Sequence, residues 1–79
     1  MTFREAVLSQ MPAKKRAKAE ARKGPLARLM WAAVENFARH EIERRGGQRL
    51  VGAIDWAKWI NFLIQIMPLL LKLLALFGI

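Results

Sequence analysis

The side chains able to do acid–base, nucleophilic or metal chemistry are few and scattered. There is one histidine, His40, there are six carboxylates, Glu5, Glu20, Glu35, Glu41, Glu43 and Asp55, and there is no cysteine. Proton-transfer catalysis needs such groups to converge within hydrogen-bond reach of one reacting atom. Here they fall on separate segments, and His40 beside Glu41 reads as an ordinary helix-surface pair without a third group to complete a triad. The lack of cysteine removes thiol nucleophiles and zinc-ribbon spacing. No glycine-rich phosphate loop, EF-hand loop or dinucleotide fingerprint occurs, and Gly46-Gly47 has the character of a helix stop. The expectation is a non-catalytic protein with no cofactor, no metal and no small-molecule substrate.

What the chain offers in quantity is positive charge and grease, at opposite ends. Fourteen Lys and Arg against six acids give a net charge of +8. Six of the cations, Lys14, Lys15, Arg16, Lys18, Arg22 and Lys23, fall within one stretch. Such a run binds phosphate-rich surfaces through counterion release, whether anionic lipid headgroups or nucleic acid. It contains no aromatic residue for base stacking and no Asn or Gln for bidentate adenine contacts, so any nucleic-acid binding is expected to be sequence-nonspecific. As solvated surface the same run needs no ligand at all.

The second constellation is a narrow polar stripe on an apolar segment. Lys58, Asn61, Gln65 and Lys72 lie within roughly 60° of arc on a helix, with Pro68 near the same line. The rest of that circumference is Ile, Leu, Phe, Met and Trp. From Trp59 to Ile79 a helix would reach about 30 Å, the thickness of a bilayer hydrocarbon core. Lys72 interrupts the run, but its long side chain can snorkel toward the far headgroups. The segment is therefore expected to enter a membrane through Trp56, Trp59, Phe62, Ile66, Leu70, Leu73 and Phe77. The stripe would then contact a partner protein or further copies of the chain.

These residues imply their supporting elements. Thr2 and Glu5 have capping-box spacing ahead of a short helix, which Pro12 ends. Residues 1–24 form a basic N-terminal arm in which Ala13 to Lys23 has strong helix formers but no large apolar residue to bury. Residues 25–47 read as an amphipathic helix opened by Pro25 and closed by the glycine pair. At about 100° per residue, Leu26, Met30, Ala33, Val34 and Phe37 share one side and Trp31, Ala38 and Ile42 extend it. Glu35, Arg39 and Glu43, four apart, can form an ion-pair ladder on the other side. Residues 48–55 connect to a helix over 56–79, with Asp55 as its N-cap. The fold class is all-α, two to three helices in an extended or helical-hairpin arrangement without a sheet, its C-terminal helix membrane-inserted.

A chain of 79 residues without disulfides or metal has a marginal core, and the broad apolar arc of the middle helix calls for lipid or a partner to cover it. No apolar run at the N-terminus suggests a secretory signal. Charge asymmetry places the N-terminus on the cytoplasmic or interior side of a membrane, with a tail-anchored C-terminus. The function expected is a small membrane-anchored structural or adaptor subunit of a larger assembly, such as a membrane protein complex or a membrane-containing virion. Its basic arm would contact anionic lipid, nucleic acid or an acidic protein face. Two alternatives are a holin- or toxin-like oligomer that permeabilises membranes and a soluble nucleic-acid-binding helical module.

Overall fold

A computed structural model of the chain describes residues 1–47 and 49–79. It is all-helical, with no strand among the described residues. Helix α1 (Phe3–Leu8) opens with the full capping box: the Thr2 hydroxyl accepts from the Glu5 amide at 3.2 Å, and the Glu5 carboxylate accepts from the Thr2 amide at 3.2 Å. After a turn through Pro12 the chain enters α2 (Ala13–Ala21), and Gly24 leads into α3 (Pro25–Gly46). Gly24 sits at φ 97°, ψ −169°, a conformation open to glycine and costly for a residue with a Cβ.

Helix α3 ends where the Gly47 amide donates to the Glu43 carbonyl at 2.9 Å. Gln48, the first residue of the expected connector, lies outside the described residues. Asp55 does act as a cap, its side chain accepting from the Ala57 amide, but the element it opens is a 3-10 turn, Trp56–Trp59, which leads into α4 proper (Ile60–Leu76). Past α4 the Gly78 amide donates to Ala75 and the Ile79 amide to Leu74, at 3.0 and 3.1 Å. With Gly78 at φ 89° this is a Schellman closure, and Ile79 is folded back into the core.

The core is built on α4. Leu63, Ile66, Met67, Leu70 and Leu74, at intervals of three and four residues, are buried along one face. Opposite them α3 contributes Ala27, Met30, Trp31, Val34, Ala38 and Ile42. Helix α1 closes one side with Phe3, Ala6 and Val7, and Phe3 is held edge-on between Trp56 (ring centroids 4.8 Å apart) and Trp31 (6.4 Å). The radius of gyration is 12.2 Å, close to the ~12 Å of a folded chain this long, so the extended alternative is not the one found.

Among the described residues there are four α-helices where two to three were expected, and four further expectations change in detail. The apolar arc of α3 is covered from within the chain, by α4. Its buried face is rotated toward Trp31, Ala38 and Ile42, leaving Leu26 and Ala33 exposed and Phe37 half-buried. The ladder of Glu35, Arg39 and Glu43 does not form, because the chain turns back past it: Arg39 donates to the Leu50 carbonyl at 3.4 Å and Glu43 accepts from the Leu50 amide at 2.9 Å. The ion pairs that do occur tie Glu41 to Arg44 at 2.7 Å and to Arg45 at 3.3 Å, while His40 lies 3.8 Å from Glu43 and not on Glu41.

Candidate functional site

Of the six cations in the N-terminal run, four are exposed: Lys14, Lys18, Arg22 and Lys23. Lys15 and Arg16 are half-buried, and Arg16 is committed to structure, donating to the Met11 carbonyl at 3.1 Å across the corner between α1 and α2. Helix α2 presents charge nearly all round and buries only Ala19, which a segment without large apolar side chains can do at most. The cations of the run separate into a solvated pair on α2, Lys14 and Lys18, and a pair just past it, Arg22 and Lys23.

Arg22 and Lys23 stand between two adjoining cavities. The first, about 420 Å³, is lined by Arg4, Arg22, Lys23 and Arg28 together with Gly24, Ala27 and Trp31, and no carboxylate lines it. The Arg4 guanidinium lies 5.9 Å from the centre of the Trp31 ring. Trp31 is itself buried, and its Nε1–H has no hydrogen-bond partner among the described residues. The second cavity, about 310 Å³, shares Arg22, Lys23 and Ala27 with the first but is otherwise apolar, walled by Leu26, Leu29, Met30 and Phe77. Leu26 and Leu29 are 80% and 65% exposed, and Phe77 is 41% exposed. Scattered surface leucines need no explanation, but several large apolar side chains beside a cationic rim do.

On α4 and the 3-10 turn before it, the polar residues expected to form a stripe point away from the core. Lys58, Asn61, Gln65, Pro68 and Lys72 are all exposed. The residues expected to anchor the chain divide three ways. Trp56, Ile66 and Leu70 lie in the core, Trp59, Phe62 and Leu73 are half-buried, and only Phe77 is exposed. Phe62 is covered by Arg45, whose guanidinium sits 5.7 Å above its ring, and Trp59 meets it edge-on at 6.2 Å. The apolar side chains that α4 leaves exposed are Ile64, Leu69 and Leu76. Even so, the stretch Trp56–Leu76 is 21 residues long, and its most apolar window has a mean hydropathy of 1.8, with 28% of that window's residues buried inside the fold. It is long and apolar enough to cross a membrane.

Neither a protein-family model, nor a curated protein, nor a solved structure matches this chain.

Among the described residues no group of three His, Asp or Glu side chains is close enough to hold an ion. The two shifted carboxylates are structural. Hydrogen bonds from the Thr2 hydroxyl and then the Thr2 amide hold Glu5 below the usual range, and the bond from Arg44, opposed by partial burial and joined by Arg45, does the same for Glu41. Sequence reasoning missed Arg4, Arg28 and Trp31 as members of the basic cluster. They belong to α1 and α3, and only the packing of α1 beside the start of α3 gathers them next to Arg22 and Lys23.

Proposed function

We propose that this chain is a non-catalytic, membrane-attached helical subunit whose basic N-terminal side faces anionic headgroups. The observation that carries the reading is α4 with its lead-in turn: a 21-residue stretch long and apolar enough to cross a membrane, with Ile64, Leu69 and Leu76 left exposed along it. In this reading α3 and α4 pair as a helical hairpin. The exposed stripe of Lys58, Asn61, Gln65 and Lys72 is the surface that meets a protein partner or further copies of the chain.

A second mode of attachment is favoured by the core packing. Leu63, Ile66, Leu70 and Leu74 are fully buried against the rest of the chain. Withdrawing α4 into lipid would cost α4 little, since acyl chains are as apolar as leucine. It would, however, uncover Met30, Trp31, Val34 and Ile42 on α3 to water, at about 1.5–3 kcal/mol per large side chain. That loss is comparable to the whole stability of so small a domain. The intact fold would instead lie on the membrane through the corner where Leu26, Leu29 and Phe77 project beside Arg22 and Lys23.

Flotation of the full-length protein with anionic and neutral liposomes, with subsequent salt and carbonate washes, tests both. Carbonate-resistant flotation supports an inserted α4. Flotation on anionic vesicles that salt releases, and that Leu26→Gln with Leu29→Gln abolishes, supports docking by the corner. No flotation under any condition would remove membrane attachment and leave a soluble helical binding module, tested next by salt-dependent binding to nucleic acid.

A further inference from the structure

We infer that the two adjoining cavities form a binding site for one molecule of an anionic phospholipid, the phosphate held among Arg4, Arg22, Lys23 and Arg28 and an acyl chain lying against Leu26, Leu29 and Phe77. The occupant is identified by complementarity. The larger cavity has four cationic side chains and no acid in its lining, so an anion there meets attraction from every charged group. Guanidinium groups present the fork geometry that phosphate oxygens accept in pairs.

A bare anion would leave the second cavity unexplained. It opens from the same Arg22, Lys23 and Ala27, and its remaining walls are hydrocarbon. A nucleotide phosphate would fill the first cavity equally well but has nothing apolar and flexible to lay along Leu26 and Leu29. A phospholipid has both parts, joined to one another as the two cavities are at Arg22, Lys23 and Ala27. Trp31 adds an aromatic wall to the first cavity, and its buried indole N–H reports on what occupies that space.

Arg22 is placed to respond to the ligand. Its Nη2 reaches the Gly78 carbonyl at only 3.4 Å, a weak bond that the guanidinium can exchange for a phosphate oxygen. The choice of a lipid occupant rests on the proposed meeting of this fold with a bilayer. The site itself requires only the folded chain.

Titration calorimetry on the full-length protein tests it, using a water-soluble short-chain phosphatidylglycerol below its micelle concentration, inorganic phosphate, and the uncharged amphiphile octyl glucoside. The phospholipid is expected to bind at least about tenfold more tightly than either of the others. Arg28→Gln and Arg4→Gln, both at exposed positions and checked for retained helicity by circular dichroism, each weaken it about tenfold. Leu29→Asn weakens the phospholipid and leaves phosphate unchanged, and the indole N–H resonance of Trp31 shifts when phospholipid is added. Phosphate binding as tightly with Leu29→Asn silent, or octyl glucoside binding as tightly with both arginine variants silent, would overturn the site. Because the probe is monomeric, failure here with flotation intact sinks the site alone, and failed flotation with monomer binding intact sinks membrane attachment alone.

Discussion

At the scale of single residues, the ends of helices are where this chain specifies itself most tightly. Glu5 accepts from both the amide and the hydroxyl of Thr2, which holds its carboxyl below the ordinary glutamate range. A group whose folded pKa is depressed stabilises fully above the unfolded value and loses that contribution as pH falls through the lower folded value. Thermal melts from pH 7 down to pH 2.5 are therefore expected to show a loss of stability beginning near pH 4, and Glu5→Gln should make that acid limb shallower. A Glu41→Gln variant should behave alike, since Arg44 holds that carboxyl down too. Thr2→Ala removes the cap at about 0.5–2 kcal/mol, seen as faster amide exchange in α1. At the other end Gly78 stands at φ 89°, and a Cβ there would lie 2.6 Å from Arg22 Nη2. The guanidinium can swing aside, so Gly78→Ala should cost mainly the backbone term, about 1 kcal/mol in urea denaturation.

At the scale of elements, α4 has two roles that sequence alone could not separate. Its apolar content suits lipid, yet one face of it is the centre of the core. Leu70→Ala is expected to cost about 2–5 kcal/mol, which in a chain this small takes most of the folded population, readable as a collapse of the urea midpoint. A chain ending at Ile54 should lose its cooperative transition altogether, so truncation does not isolate a membrane anchor; exposed-site variants do. Pro68 points outward in the middle of α4, where it has no amide to donate to the Ile64 carbonyl. Pro68→Ala should raise the melting temperature, because it restores that bond without disturbing the buried face. An unchanged or lowered melting temperature would mean the proline is needed for packing on α3.

At the scale of the molecule, charge and exposed hydrocarbon converge on one corner. The start of α3 brings Leu26, Leu29 and Arg28; the residue just past α4 brings the Phe77 ring; α1 brings Arg4; and the link from α2 brings Arg22 and Lys23. Such a corner is drawn to an anionic surface by long-range charge and retained by apolar contact, two terms with different salt dependence. Raising salt should therefore weaken vesicle binding by the docked fold steeply, while Leu29→Gln with Phe77→Gln lowers it at every ionic strength. Both changes are readable by co-sedimentation with anionic vesicles.

The sequence by itself determined the helical class, the capping box at Thr2 and Glu5, the break at Pro12, the span of α3 and the cap at Asp55. All of these depend on contacts within a few residues, where spacing is geometry. On α4 it also placed Asn61, Gln65 and Lys72 on one exposed side, because a helix fixes relative angle, whereas Lys58 falls on the 3-10 turn before it. What only the tertiary structure decided is which side of each apolar helix faces inward. An arc as broad as that of α3 permits several orientations, and the aromatic contacts of Phe3 with Trp31 and Trp56 select one of them. The same packing turned Arg39 and Glu43 from a surface ladder into a clamp on Leu50. It placed Ile66 and Leu70 in the core instead of leaving them free for lipid, and it joined Arg4 and Arg28 to the basic run. Cations on three separate elements carry no mutual signal in sequence; their proximity arises from the burial of the hydrophobic residues between them.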